Sequence, residues 1–177
     1  MSANNYQESL QISLNSSDDK TFHITYGEGK VSKLVENTMD NDIHIRNDHR
    51  ETNNNNNVIL LPKVHSETLS QIVRFMRYHK DEPLLPISSP FKSCSLEDVI
   101  TQEWYISFIN SMDRKKLFQL INGANYMDIE PLLNLGCLAV SAQMMGKSAE
   151  EIRVMLNIGK MDEDEELRAK DEHSWMF

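Results

Sequence analysis

Cysteine is scarce, with two in 177 residues, Cys94 and Cys137. They form no CxxC pair and show no dense spacing, so neither a zinc cage nor a disulfide framework is suggested, and reduced thiols are expected. Positive charge is short as well: 18 Lys and Arg stand against 27 Asp and Glu, a net charge of -9. An acidic chain repels phosphate backbones and anionic bilayers, which argues against nucleic-acid and membrane partners. Long apolar runs are missing, since none approaches the ~20 residues that span a bilayer. Met1 to Gln7 is polar, without the apolar stretch of a secretory signal. Cytoplasm and nucleus are the expected addresses. Catalytic frames are missing too: no GxGxxG, no GxxxxGK[ST], no GxSxG elbow and no HExxH occurs. His44 and His49 flank Asp48 in a polar stretch and read as a chance surface cluster. The expectation is therefore a binding protein and not an enzyme, with no cofactor and no metal.

What is present is pattern. Leu10, Ile12 and Leu14 alternate with polar residues, as do Phe22, Ile24 and Tyr26, and Asn15 to Asp19 is turn chemistry. Two half-buried strands in a hairpin follow. Val31, Leu34 and Val35 predict a short helix over about Lys30 to Thr38. Met39 to Asn57, ending in five asparagines, reads as a low-complexity loop with nothing to bury, expected to be disordered. Val58 to Leu61 reads as a buried strand stopped by Pro62. Ser66 is the candidate cap of a helix carrying Leu69, Ile72, Val73 and Met76. Pro83, Pro86 and Pro90 then interrupt a loop to about Ser95, with Cys94 exposed in it.

From Leu96 the chain reads as helical almost to its end. Val99, Ile100, Trp104, Ile106, Phe108 and Ile109 mark one helix, and Asp113 is placed to cap the next. Asp128 is placed to cap a third, whose apolar stripe reads Ile129, Leu132, Leu133, Cys137, Val140 and Met144, with Cys137 as a small buried hydrophobe and Gly146 as its stop. Ser148 to Glu151 is a capping box, and Asp162 is placed to cap a last helix with acids in its first turn. Hairpin, helix, strand, helix and a run of helices make an α/β (α+β) chain with an all-α tail. The tail is odd by itself: its helices are shorter than isolated helices need, yet Ile152, Leu156, Ile158 and Trp175 add more apolar surface than a tail should show. Either they fold back on the domain or they clasp a partner.

Asn125-Tyr126-Met127-Asp128-Ile129, Leu132-Leu133, Cys137, Val140, Gly146-Lys147-Ser148, Glu150-Glu151-Ile152-Arg153, Asn157-Ile158, Glu163 to Glu166 and Trp175, in this order and spacing, resemble the C-terminal half of the S-phase kinase-associated protein 1 family. Tyr78 to Pro83 and Leu10 to Phe22 resemble its upstream segments. The resemblance implies a BTB/POZ domain over 10–147 with loops at about 39–57 and 83–95, a flexible tail at 1–9 and a helical extension at 148–177. It implies an adaptor of SCF (Skp–cullin–F-box) ubiquitin ligases, bridging F-box receptors to a cullin, and a free chain that pairs weakly with itself. Asn125 and Tyr126 match cullin-touching positions. Phe118, Leu133, Val140, Ile152, Leu156, Ile158 and Trp175 match or lie within the region that interleaves with F-box helices, although internal core reads equally well for Phe118, Leu133 and Val140. A POZ-type self-assembly scaffold without ligase work is the alternative. The chain departs from the family at Ala149, where proline is common and in some protists is hydroxylated and glycosylated, so that regulation is expected to be missing. Its 84–95 loop lacks the family's acidic character. Gly123, late in its helix, is expected to loosen it by ~1 kcal/mol relative to Ala.

Overall fold

The computed structural model describes residues 8–46, 57–87, 95–173 and 175, and of 41–46 the backbone alone. The chain divides into two compact units, Met1–Ala142 and Gln143–Phe177, each taken by itself.

The first unit begins with strands β1 (Gln11–Ser16) and β2 (Thr21–Thr25), which pair antiparallel with Ile12 opposite Ile24 and Leu14 opposite Phe22. Tyr26 does not continue β2. Thr25 and Glu28 form a capping box there, each side chain bonded to the other's backbone N–H, and this opens the one-turn helix α1 (Tyr26–Gly29). Helix α2 (Lys33–Arg46) starts later than the periodicity predicts and runs far past Thr38. Its buried Met39 is what the polar reading of 39–57 missed. Residues 47–56 lie outside the described residues. Strand β3 (Val58–Leu61) then joins β1 in parallel, completing the sheet order β2-β1-β3. It buries Ile59 and Leu61 but leaves Val58 and Leu60 exposed, so it is covered on one face only.

Helix α3 (Ser66–Asp81) carries the predicted stripe Leu69, Ile72, Val73 and Met76, all buried. Ser66 is its first residue, not its cap, which is His65. Asp18 from the hairpin turn supplies what a cap would: its carboxylate accepts from Ser66 N–H at 2.8 Å and Ser66 Oγ at 2.7 Å, and from Ser16 Oγ at 2.8 Å. The Ser66 hydroxyl contributes most to holding this carboxyl far below the usual carboxylate range. The segment 83–87 is irregular but anchored: Leu84 N–H donates to His79 Nδ1 at 3.1 Å and Leu85 N–H to Gln102 Oε1 at 2.9 Å. These bonds fall within the loop expected over 83–95, of which Cys94 and the rest of 88–94 lie outside the described residues. Helix α4 is shorter than expected, Glu103–Asn110, with Val99 and Ile100 in turns before it. It is fastened to α3 by rings: Trp104 stacks on Tyr78 with centroids 3.9 Å apart, and Tyr105 donates its hydroxyl to Glu82 O at 2.6 Å.

Helix α5 (Arg114–Tyr126) is capped as predicted, Asp113 accepting from Lys116 N–H at 2.8 Å. Gly123 is not a weak point. A Cβ there would come within 2.8 Å of Ile72 Cδ1 and 3.2 Å of Thr68 Cγ2, so the glycine permits the close α3–α5 approach. Helix α6 (Glu130–Met144) follows. Asp128 ends α5 and does not cap α6. At φ 51° it is the left-handed residue of a Schellman motif, with Ile129 N–H bonded to Ala124 O and Asp128 N–H to Asn125 O. Aspartate tolerates that conformation better than most residues, so its presence reads as a cap.

In the second unit, helix α7 (Ala149–Met155) has the predicted capping box, and Glu151 Oε2 accepts from Ser148 N–H at 2.8 Å. Gly146, at φ 75°, ends α6 as expected. Helix α8 (Glu163–Glu172) is capped by Asp162 and buries no residue.

Candidate functional site

Among the described residues the unusual features are exposed apolar surfaces. Among the described residues no group of three or more His, Cys, Asp or Glu could hold a metal ion. No helix of the described residues is long and apolar enough to cross a membrane.

The first surface is the end of α5. Asn125 is exposed and Tyr126 half-buried, its ring packed on the core edge. Lys63 Nζ lies 5.6 Å from the centroid of that ring, a cation–π distance. The turn behind it is fixed by α2: Ser32 Oγ donates to Met127 O at 2.6 Å and Lys33 N–H to Asp128 O at 3.1 Å. Lys33 Nζ stands 3.8 Å from both Asp128 and Glu130. The result is an aromatic anchor with a charged rim, held on a rigid turn. Asn125 and Tyr126, expected from the sequence to touch a partner, stand here; Lys33 and Lys63, brought beside them only in space, were not foreseen.

The second surface is α6. Its core side is Leu132, Leu135, Gly136, Leu138 and Ala139. A Cβ on Gly136 would lie 2.5 Å from Ile121 Cγ1, so α5 and α6 meet without a gap. The predicted stripe through Leu133, Cys137 and Val140 is the other side. Leu133 and Val140 are half-buried at the core's margin and Cys137 is exposed, which corrects its reading as a buried hydrophobe. The helix is apolar on two faces, so its periodicity points to neither. One turn before Ile121 on α5 stands Phe118, half-buried and outside the core cluster.

The third surface belongs to the second unit. Ile152 on α7 and Leu156 at its C-cap are half-buried, four residues apart, and Met155 is the helix's buried residue. Asn157, at φ 54°, ends α7 in a second Schellman motif, Ile158 N–H bonding Arg153 O. Arg153 is gripped by both oxygens of Glu150 at 2.7 Å and donates to Ile158 O, fixing the turn that presents Ile158. Ile158 is 54% exposed, Leu167 69% and Trp175 78%. Val154 and Met161 are also exposed and were not foreseen. Helix α8 buries no residue, and Leu167 is its one large apolar side chain among charged ones.

Of the residues expected to act together, Leu133 and Val140 share one helix face with Cys137, and Ile152 with Leu156 shares another. Phe118 stands on the helix adjoining the first pair, and Trp175 lies beyond the end of α8.

Residues 130–176 match the family model described as Skp1 family, dimerisation domain. Curated relatives align over nearly the whole chain. An Aspergillus terreus protein described as E3 ubiquitin ligase complex SCF subunit sconC is 30% identical over 160 residues, 90% of this chain and 98% of its own length. Its counterpart of the same description from Emericella nidulans is 29% identical over 158 residues, 89% and 96% of the two chains. The Dictyostelium discoideum SCF ubiquitin ligase complex protein SKP1a is 29% identical over 165 residues, 93% and 94%. With a relative 30% identical over 90% of this chain and a family model matched at 130–176, the chain belongs to the Skp1 family.

Proposed function

We propose that this chain is the adaptor of an SCF E3 ubiquitin ligase, joining F-box substrate receptors to a cullin scaffold and catalysing nothing itself. The observation that carries the reading is the second apolar face of α6 together with the uncovered apolar residues of the second unit, in a chain whose relatives are described as SCF subunits. Asn125 and Tyr126 are assigned to the cullin. Phe118, Leu133, Val140, Ile152, Leu156, Ile158 and Trp175 are assigned to the F-box. An aromatic anchor with a polar rim suits a stable but separable contact, and a broad apolar surface suits a near-obligate one. With this role go a cytoplasmic and nuclear address and a free chain that pairs weakly through the apolar surface an F-box would cover. The net charge of -9 supports partners other than nucleic acid or anionic membrane.

The test uses a cullin N-terminal domain and an F-box domain. Tyr126→Lys should abolish cullin binding and spare the F-box; deletion of residues 148–177 should do the reverse. If each change weakens both partners equally, the two-surface assignment is wrong.

A further inference from the structure

A hollow of about 510 Å³ opens between the 83–87 segment and α6, walled by Leu84, Pro86 and Ile87 on one side and by Asn134, Cys137 and Leu138 on the other. That volume is many times the ~30 Å³ share of a water molecule and falls within the range of small clefts that hold apolar groups. Its wall is fixed before any partner arrives. Leu84 N–H is bonded to His79 Nδ1, Leu85 N–H to Gln102 Oε1, and Gln102 Nε2 returns a bond to Pro83 O at 3.0 Å. Leu84 and Ile87 also pack against the core. Cys137 belongs both to this hollow and to the outer face that carries Leu133 and Val140, so the hollow is continuous with the surface assigned above to the F-box.

We infer that the F-box surface extends past the α6 stripe into this hollow, which takes one or more branched apolar side chains from the receptor's F-box. The inference rests on the adaptor reading and adds a specificity pocket to it. Its lining is suited to that occupant: the walls are aliphatic, while Asn134, Ser141 and Glu130 at the α6 side supply polar groups for a partner's backbone. The surface therefore covers Cys137 on binding, and the thiol becomes a reporter of occupancy.

The experiment uses the full chain with Cys94→Ser, a recombinant F-box domain as probe and the cullin N-terminal domain as control. Labelling of Cys137 by N-ethylmaleimide, which adds the thiol across the maleimide double bond, should slow about tenfold or more in the F-box complex and stay unchanged with the cullin domain. Ser141→Trp, which fills the hollow, and Ile87→Asp, which makes its wall polar, should each weaken F-box binding about tenfold or more. Thermal unfolding of the Ser141→Trp chain and its cullin binding should remain as in the unaltered protein. Unchanged binding by Ser141→Trp and by Ile87→Asp, with loss of binding by Leu133→Asp, would place the F-box on α6 but refute the hollow. Failure of the unaltered chain to bind the F-box domain would instead remove the adaptor reading, and the hollow's role with it.

Discussion

Adjacent leucines on α6 allow a sharp perturbation. Leu132 is fully buried in the core, whereas its neighbour Leu133 sits at the margin of the outer face. Truncating a buried leucine to alanine costs about 2–5 kcal/mol, the lost transfer free energy plus a cavity term. For a chain of this size each kcal/mol shifts Tm by roughly 2–4 °C, so Leu132→Ala should lower Tm by roughly 4–20 °C. Leu133→Ala removes a side chain that water already reaches, and the cost should stay at or below about 1 kcal/mol. Its effect should surface in binding, where loss of a central apolar contact costs about 1–2 kcal/mol or more. Chemical denaturation and titration with an F-box domain read the two quantities on the same samples. If Leu133→Ala destabilises the fold as much as Leu132→Ala, or leaves F-box binding untouched, α6 has no free second face.

Two further outcomes follow from packing and protonation. Gly136→Ala should destabilise by about 1–2 kcal/mol despite alanine's better helix propensity, because its Cβ would sit 2.5 Å from Ile121 Cγ1; Ile121→Ala should recover most of that loss in a double-mutant cycle, and additive effects would deny the contact. Burial pushes the His79 imidazole below its ordinary value of 6.5, so folding favours the neutral form. Stability that is full above the unfolded value should therefore decline as pH falls below about 6.5 toward the depressed folded value; denaturant midpoints from pH 8 to 5 measure it, and a slope that His79→Gln leaves unchanged would assign it elsewhere.

Much of the fold could be read from the sequence because its signals are local. The caps at Asp113, Ser148 and Asp162 act where their spacing puts them. The alternation of Ile12, Leu14 and Ile24 marks strands that are covered on one face. The failures share a physical origin: they depend on what lies across space. Asp18 takes over the task of a cap at Ser66 from 48 residues away. Asp128 carries a capping residue's chemistry in a helix-ending conformation. Gly123 looks like a flaw until Ile72 is placed against it. Met39 lies under a stretch whose composition is that of a loop. The candidate site shows the same division. The family resemblance names Asn125, Tyr126 and the tail residues as candidates, but a helix apolar on two faces gives no periodicity by which Leu132 could be told from Leu133, or a buried Cys137 from an exposed one.

The adaptor role stands or falls on simultaneous binding. The purified full chain is mixed with an F-box domain and a cullin N-terminal domain, and the mass of the product is measured by light scattering after gel filtration. A single species with one copy of each is expected, with the cullin affinity unchanged by prior F-box binding. Two mutually exclusive binary complexes, or no complex with either partner, would contradict an adaptor with separate docking surfaces.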